Sequence, residues 1–130
     1  MRRSVYRQGE YETAEIRPGL VGAVLEGDAM TIVRWEFPPR TPRTGMHVHE
    51  EHEQYGVVLA GAIEMQIGDE VVRLGAGDIY WVPKKLTHGR TCVLGDEPAV
   101  VLDIFSPPRP EYVAAAYGGP IADPTRQSAR

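Results

Sequence analysis

The stretch GMHVHEEHEQYGVVLAG, residues 45–61, decides how this chain is read. Successive side chains of an extended strand point to opposite faces, so His47 and His49 share a face and are able to converge on one ion. Gln54 follows after four intervening residues, and His88 closes a second stretch, GAGDIYWVPKKLTH, at the start of another strand. Three imidazoles and one amide oxygen suit a single divalent first-row transition metal ion, Ni, Zn, Mn, Fe or Co, better than Ca or Mg, which take oxygen shells. His52, inside EEHE, stands one residue off the ligand positions and is expected to be solvated or to support a ligand.

Outward from this stretch, turn signals recur at Gly27-Asp28, Pro38-Pro39, Gly61, Gly68-Asp69, Gly75 to Asp78, Gly95-Asp96 and Pro107-Pro108. They delimit LVGAVLE, MTIVRWEF, YGVVLA, AIEMQI, EVVRL, DIYWVP, TCVL and AVVLDIF, which are rich in β-branched and aromatic residues and too short for typical helices. Such a pattern predicts an all-β sandwich or barrel. Pro110 to Tyr117 reads as one short helix, with Pro and Glu at its start and Gly118-Gly119 at its end. The final PIADPTRQSAR is expected to be a loose tail.

A chain of 130 residues fits one domain with a real core. Its 42% hydrophobic and 25% charged residues are those of an ordinary globular protein. A net charge of −4 with scattered Lys and Arg argues against nucleic acid as a partner. No apolar run approaches the roughly 20 residues of a membrane span, and the opening MRRSVYRQGEYETAE lacks the apolar core of a signal peptide, so a cytoplasmic protein with no membrane partner is expected. The lone Cys92 has no internal disulfide partner and reads as a small apolar residue.

With these residues in view, the chain resembles the cupin superfamily. His47, His49, Gln54 and Gly61 match the first cupin motif, while Gly77, Pro83 and His88 match the second. Thr41 and Lys85 stand where the family usually has glycine. The resemblance implies a single-domain cupin, a double-stranded β-helix or jelly-roll barrel with a short C-terminal helix. The expected boundaries are an N-terminal arm over 1–15, the barrel over 16–112, and helix end and tail over 113–130. It also implies a metal held by His47, His49, Gln54 and His88, and a homodimer in which the polar segment before Ile16 is free to cross to the partner.

Most cupins of this pattern offer a carboxylate where this chain has Gln54. An all-neutral ligand set leaves an ion its full double charge, which favours Lewis-acid work over oxygen activation. In AVVLDIFSPPRPEY, alternation places Ala99, Val101, Asp103 and Phe105 on one face. A desolvated Asp103 fits a general acid or base, or else a structural ion pair with Arg109 or Arg90. The run Leu102 to Arg109 is similar to that of the sugar-acid cupins that linearise unsaturated uronates, a likeness extending from Ile16 to Tyr112. It implies catalytic roles for Asp103 and Phe105 and a substrate-binding role for Arg109. Arg90, two residues beyond His88, is expected to point into the barrel, where it binds a carboxylate or lies solvated at the mouth. Gly56 shares a face with Gln54, leaving room beside the metal or marking a bulge. Tyr55, Tyr80 and Trp81 are expected to pack in the core, or else to line a ligand cavity.

The leading expectation is a metal-dependent isomerase acting on a small anionic, hydroxylated carboxylate, opening unsaturated uronates to linear keto acids. An iron-dependent dioxygenase, a non-catalytic small-molecule-binding cupin and a polyketide cyclase are the alternatives.

Overall fold

The structure, a computed structural model, describes residues 3–119. The PIADPTRQSAR segment lies outside the described residues. The described chain forms β1 (Ala14–Arg17), β2 (Leu20–Glu26), β3 (Thr31–Phe37), β4 (Met46–His47), β5 (Glu53–Ala60), β6 (Ala62–Ile67), β7 (Glu70–Gly75), β8 (Ile79–Val82), β9 (His88–Val93), β10 (Ala99–Ser106) and α1 (Pro110–Gly118). Two antiparallel sheets result, one in the order β1-β2-β3-β10-β5-β8 and the other β4-β9-β6-β7. This is the all-β class expected from the turn spacing, in the two-sheet form that the resemblance implies.

Period-2 patterning explains how the sheets face one another. In β3, Thr31, Val33, Trp35 and Phe37 turn inward, and in β10 Ala99, Val101, Asp103 and Phe105 do the same. The opposing sheet sends Ile63 and Met65 into the same cluster. Burying a Val, Ile or Phe of this kind contributes roughly 1.5–3 kcal/mol. Asp103 is thus an acid on an otherwise apolar inner face, as alternation predicts.

The N-terminal region joins the sheet earlier than expected. Ala14 and Glu15 pair with Gly22 and Val21 of the same chain, so these two residues are not free to cross to a partner. At the other end α1 begins with Pro110, whose missing N–H costs nothing at a helix start. The helix turns Tyr112 and Ala115 inward and packs on β1 and β2. No helix among the described residues is long and apolar enough to cross a membrane.

The three aromatics expected in the core divide. β8 alternates strictly, so Tyr80 is buried while Trp81 faces outward, 49% exposed, beside Tyr55 of β5, 51% exposed. Alternation in a sheet with one wet face is what sends Trp81 and Tyr55 out.

Candidate metal centre

His47 ends β4 and pairs directly with His88, the first residue of β9. His49 lies two residues beyond β4, outside any strand, so alternation is not what brings it to His47. The loop is held instead by the backbone N–H of Lys85, which donates to the His49 carbonyl at 2.8 Å. Lys85 has φ +68°, the left-handed conformation that glycine adopts without cost. A lysine there carries a strain of about 1–3 kcal/mol.

The three rings lie together, with centroids 4.9 Å apart for His47 and His49, 4.3 Å for His47 and His88, and 4.8 Å for His49 and His88. One ligand nitrogen from each lies within 4.8 Å of the others, so the trio can hold an ion. Gln54 reaches the same region from β5 in the opposite sheet and lines one cavity with His47 and His88. Buried polar atoms are normally paired. Among the described residues the buried side-chain polar atoms without a hydrogen-bond partner are His47 Nδ1, His49 Nε2, Gln54 Oε1 and His88 Nε2. Four orphaned lone-pair donors from the four residues singled out in the sequence are what a metal ligand set requires.

Protonation favours the same reading. Burial, then the charges of His88, Arg17 and Arg109, lower the His47 pKa to about 3. Burial and then Arg109 lower that of His49 to about 2, and burial also lowers that of His88. At neutral pH these rings are uncharged, so each keeps one nitrogen lone pair to offer an ion. His88 Nδ1 donates to the Leu86 carbonyl at 3.0 Å, which leaves Nε2 as the bare nitrogen. His52 stands outside the trio, with Nε2 3.2 Å from the Pro108 carbonyl and its ring 6.3 Å from that of His49.

Asp103 is set beside this donor set by a line of residues across four strands. Trp35 of β3 donates its Nε1–H to Asp103 Oδ2 at 3.0 Å, and Tyr80 of β8 donates its hydroxyl to Oδ1. Trp35 and Tyr80, rather than Arg109 or Arg90, hold its two oxygens. Burial pushes the Asp103 carboxyl up to about 6, although hydrogen bonds from Tyr80, Gln54 and Trp35 and the charge of Arg109 pull it down. Burial and then the charge of Asp103 raise the Tyr80 hydroxyl well above its ordinary value.

Tyr80 reaches Asp103 only by crossing Gly56, which pairs with Tyr80 on one side and Asp103 on the other. A Cβ on Gly56 would lie 2.1 Å from Tyr80 Cζ. The space beside Gly56 is therefore filled by the tyrosine ring rather than left open next to the metal ligands. Replacing Gly56 with Ala is expected to displace the ring and destabilise the fold by about 1–3 kcal/mol. A melting temperature equal to that of the parent protein would show that Tyr80 has room to spare.

Phe105, 2% exposed, stands edge-on to His49 with ring centroids 5.6 Å apart. The guanidinium of Arg109 lies 5.1 Å from the Phe105 centroid and donates to Glu111 Oε1 at 2.5 Å and to the Tyr112 hydroxyl at 3.1 Å. Its Nη1 is also 3.1 Å from His49 Nδ1. Arg90, by contrast, is exposed and does not line the cavity. Gly89 at φ +138° and Arg90 at φ +52° break the alternation counted from His88, which is why Arg90 turns away. Gly89 has its own reason to be glycine, since a Cβ would meet the Gly45 carbonyl oxygen at 2.2 Å.

Tyr80 lines the cavity, one of the two roles that the sequence left open for it. Trp35 and Arg17 line it too and escaped the sequence reading, because the pairing that turns them toward the site cannot be counted from sequence.

Residues 33–105 match the family model described as a cupin domain. The chain superposes on the structure of KdgF from Halomonas sp. with a TM-score of 0.71 and 30% identity, covering 82% of this chain and 96% of that one. An RmlC-like cupin from Shewanella frigidimarina gives a TM-score of 0.73 at 24% identity, covering 85% and 96%. A predicted oxalate decarboxylase from Thermotoga maritima gives 0.70 at 20% identity, covering 78% and 97%. The last two likenesses concern the fold alone. No curated protein matches the chain.

Proposed function

Because this chain belongs to the cupin family, we propose that it is a metal-dependent isomerase that opens an unsaturated uronate, a small cyclic sugar acid, to its linear keto acid. The observation that carries this reading is a bare four-atom donor set, three of whose residues line one cavity together with a doubly anchored carboxylate. The Leu102 to Arg109 run, similar to that of uronate-linearising cupins, and the 30% identity with Halomonas KdgF support it.

His47, His49, Gln54 and His88 would hold the ion. Bound to four neutral ligands, a divalent ion supplies a Lewis acid that polarises a sugar oxygen. The reaction is an isomerisation with no net change of atoms or electrons. The anomeric hydroxyl loses a proton, the bond between the anomeric carbon and the ring oxygen breaks to leave an aldehyde and an enolate, and the enolate takes the proton on carbon to become the ketone. Asp103 takes and returns that proton, with Trp35 and Tyr80 holding its two oxygens in place. Phe105 packs against His49 and under Arg109, which shapes the wall between them.

Arg109 contributes through His49. A guanidinium only donates hydrogen bonds, so its contact with His49 Nδ1 needs a lone pair on that nitrogen. When His49 uses Nε2 as a ligand its proton would reside on Nδ1, and the Arg109 Nη1–H keeps the Tyr112 hydroxyl as its acceptor.

The test is direct. Protein loaded in turn with Ni, Zn, Mn, Fe or Co and given unsaturated uronate monomers is expected to consume the enol absorbance and form keto acid at equal rates in air and under argon. Absence of conversion with every metal would end the isomerase reading, and conversion that needs oxygen would replace it with the dioxygenase.

A further inference from the structure

The first turn of α1 carries a phenol into the metal cavity. The backbone N–H of Arg109 donates to Thr31 Oγ1 of β3 at 2.7 Å, which ties the start of the helix to the sheet, and Tyr112 then turns inward, 2% exposed. Its ring stands edge-on to Trp35 with centroids 5.9 Å apart and lies 5.3 Å from that of Phe105, so packing fixes its direction. Tyr112 lines the same cavity as His47, Gln54, His88 and Asp103. It also adds, after burial and Asp103, to the causes that raise the Tyr80 hydroxyl, which places the two phenol oxygens near each other.

Both lone pairs of the Tyr112 hydroxyl are taken. Arg17 Nη2 donates to it at 2.8 Å and Arg109 Nη1 at 3.1 Å. Arg17 reaches this place because the pairing of β1 with β2 shifts from Glu15 opposite Val21 to Arg17 opposite Leu20, which makes Ile16 the extra residue of a β-bulge. Each guanidinium has other contacts as well, Arg109 with Glu111 among them, and acts here only through the shared oxygen. A phenol has one hydrogen to give and two lone pairs to accept with, whereas a guanidinium only donates. Neither arginine can therefore take the Tyr112 hydrogen, and among the described residues no other group accepts it. Two cationic donors on the oxygen polarise the O–H bond, and a hydrogen bond to an ionised acceptor is roughly twice as strong as one between neutral groups.

We propose that Tyr112 donates its hydroxyl hydrogen to the carboxylate of the sugar acid bound in the metal cavity. The proposal rests on the reading of the site as one for a cyclic sugar acid. Arg17 and Arg109 aim the donor by occupying the other two positions around its oxygen.

Binding to the Zn-loaded full chain, with the tyrosines carrying carbon-13 at Cζ, tests it. Glucuronate is expected to bind and to move the Tyr112 Cζ resonance downfield, whereas glucose, which lacks the carboxylate, is expected to leave it in place. Tyr112→Phe keeps the ring and loses the hydroxyl, and is expected to weaken glucuronate about 10- to 100-fold with metal content unchanged. A resonance that stays in place while glucuronate binds overturns the proposal even if the variant binds more weakly, because the hydroxyl then serves only to hold the two arginines. Parent-like affinity in Tyr112→Phe overturns it, as do an equal shift with glucose and a parent protein that binds neither glucuronate nor succinate. Succinate that binds and moves the resonance where glucuronate does not bind keeps Tyr112 as a donor to carboxylates and removes the sugar-acid reading of the site. If Tyr112→Phe does not fold, single Phe variants of the other tyrosines assign the resonance by elimination, and its shift in the parent protein decides alone.

Discussion

Replacing His88 with Ala is expected to lower metal affinity at least about 100-fold, beyond the 10- to 100-fold typical of losing a residue that merely supports a ligand. His88 is 2% exposed, its tautomer is set by the Leu86 carbonyl, and among the described residues no other His, Cys, Asp or Glu joins His47 and His49 in the trio. The measurement is metal content after dialysis against a weak chelator, followed by melting with and without metal. Binding that favours the folded state raises its stability, so the parent protein should melt higher when loaded, whereas the variant should melt at one temperature in both conditions. His52→Ala is the matched control, because His52 lies outside the trio and is expected to leave metal content unchanged. Full metal retention in His88→Ala would remove this residue from the ligand set.

Replacing Asp103 with Asn is expected to cut turnover of an unsaturated uronate by about 10²- to 10⁴-fold with metal content intact, the magnitude usual for a lost general acid or base. The swap is close to isosteric, and its hydrogen bonds can be kept. Trp35 is a donor only, so the Asn oxygen must face it, and the Asn amide then donates to the Tyr80 oxygen, which accepts as readily as it donates. A fall in activity accompanied by a normal melting temperature and full metal content would therefore report lost proton transfer rather than lost structure. Turnover equal to that of the parent protein would take Asp103 out of the mechanism.

Much of the fold and part of the site are legible in the chain before any packing is considered. Turn residues at short intervals mark the strands, because Gly, Pro and Asp adopt turn conformations at low cost. The inward face of β10, with Asp103 among Ala99, Val101 and Phe105, follows from a period of two that holds over the whole strand. His47, His49, Gln54 and His88 are named by their chemistry and spacing alone.

What could not be read was decided where the period of two fails or where distant strands meet. His49 reaches His47 from a loop tied down by Lys85, Arg90 is turned out by two positive φ angles, and Arg17 is turned in by a bulge. In each case one backbone irregularity reverses a side chain, and only pairing with another strand reveals it. The union of Trp35, Asp103, Gly56 and Tyr80 is likewise an outcome of strand order, since β3, β10, β5 and β8 are neighbours in the sheet although far apart in the chain. Local residue chemistry is a property of short stretches and survives in the sequence. Which groups share a cavity depends on long-range pairing and on breaks in register, and these exist only once the two sheets have closed on each other.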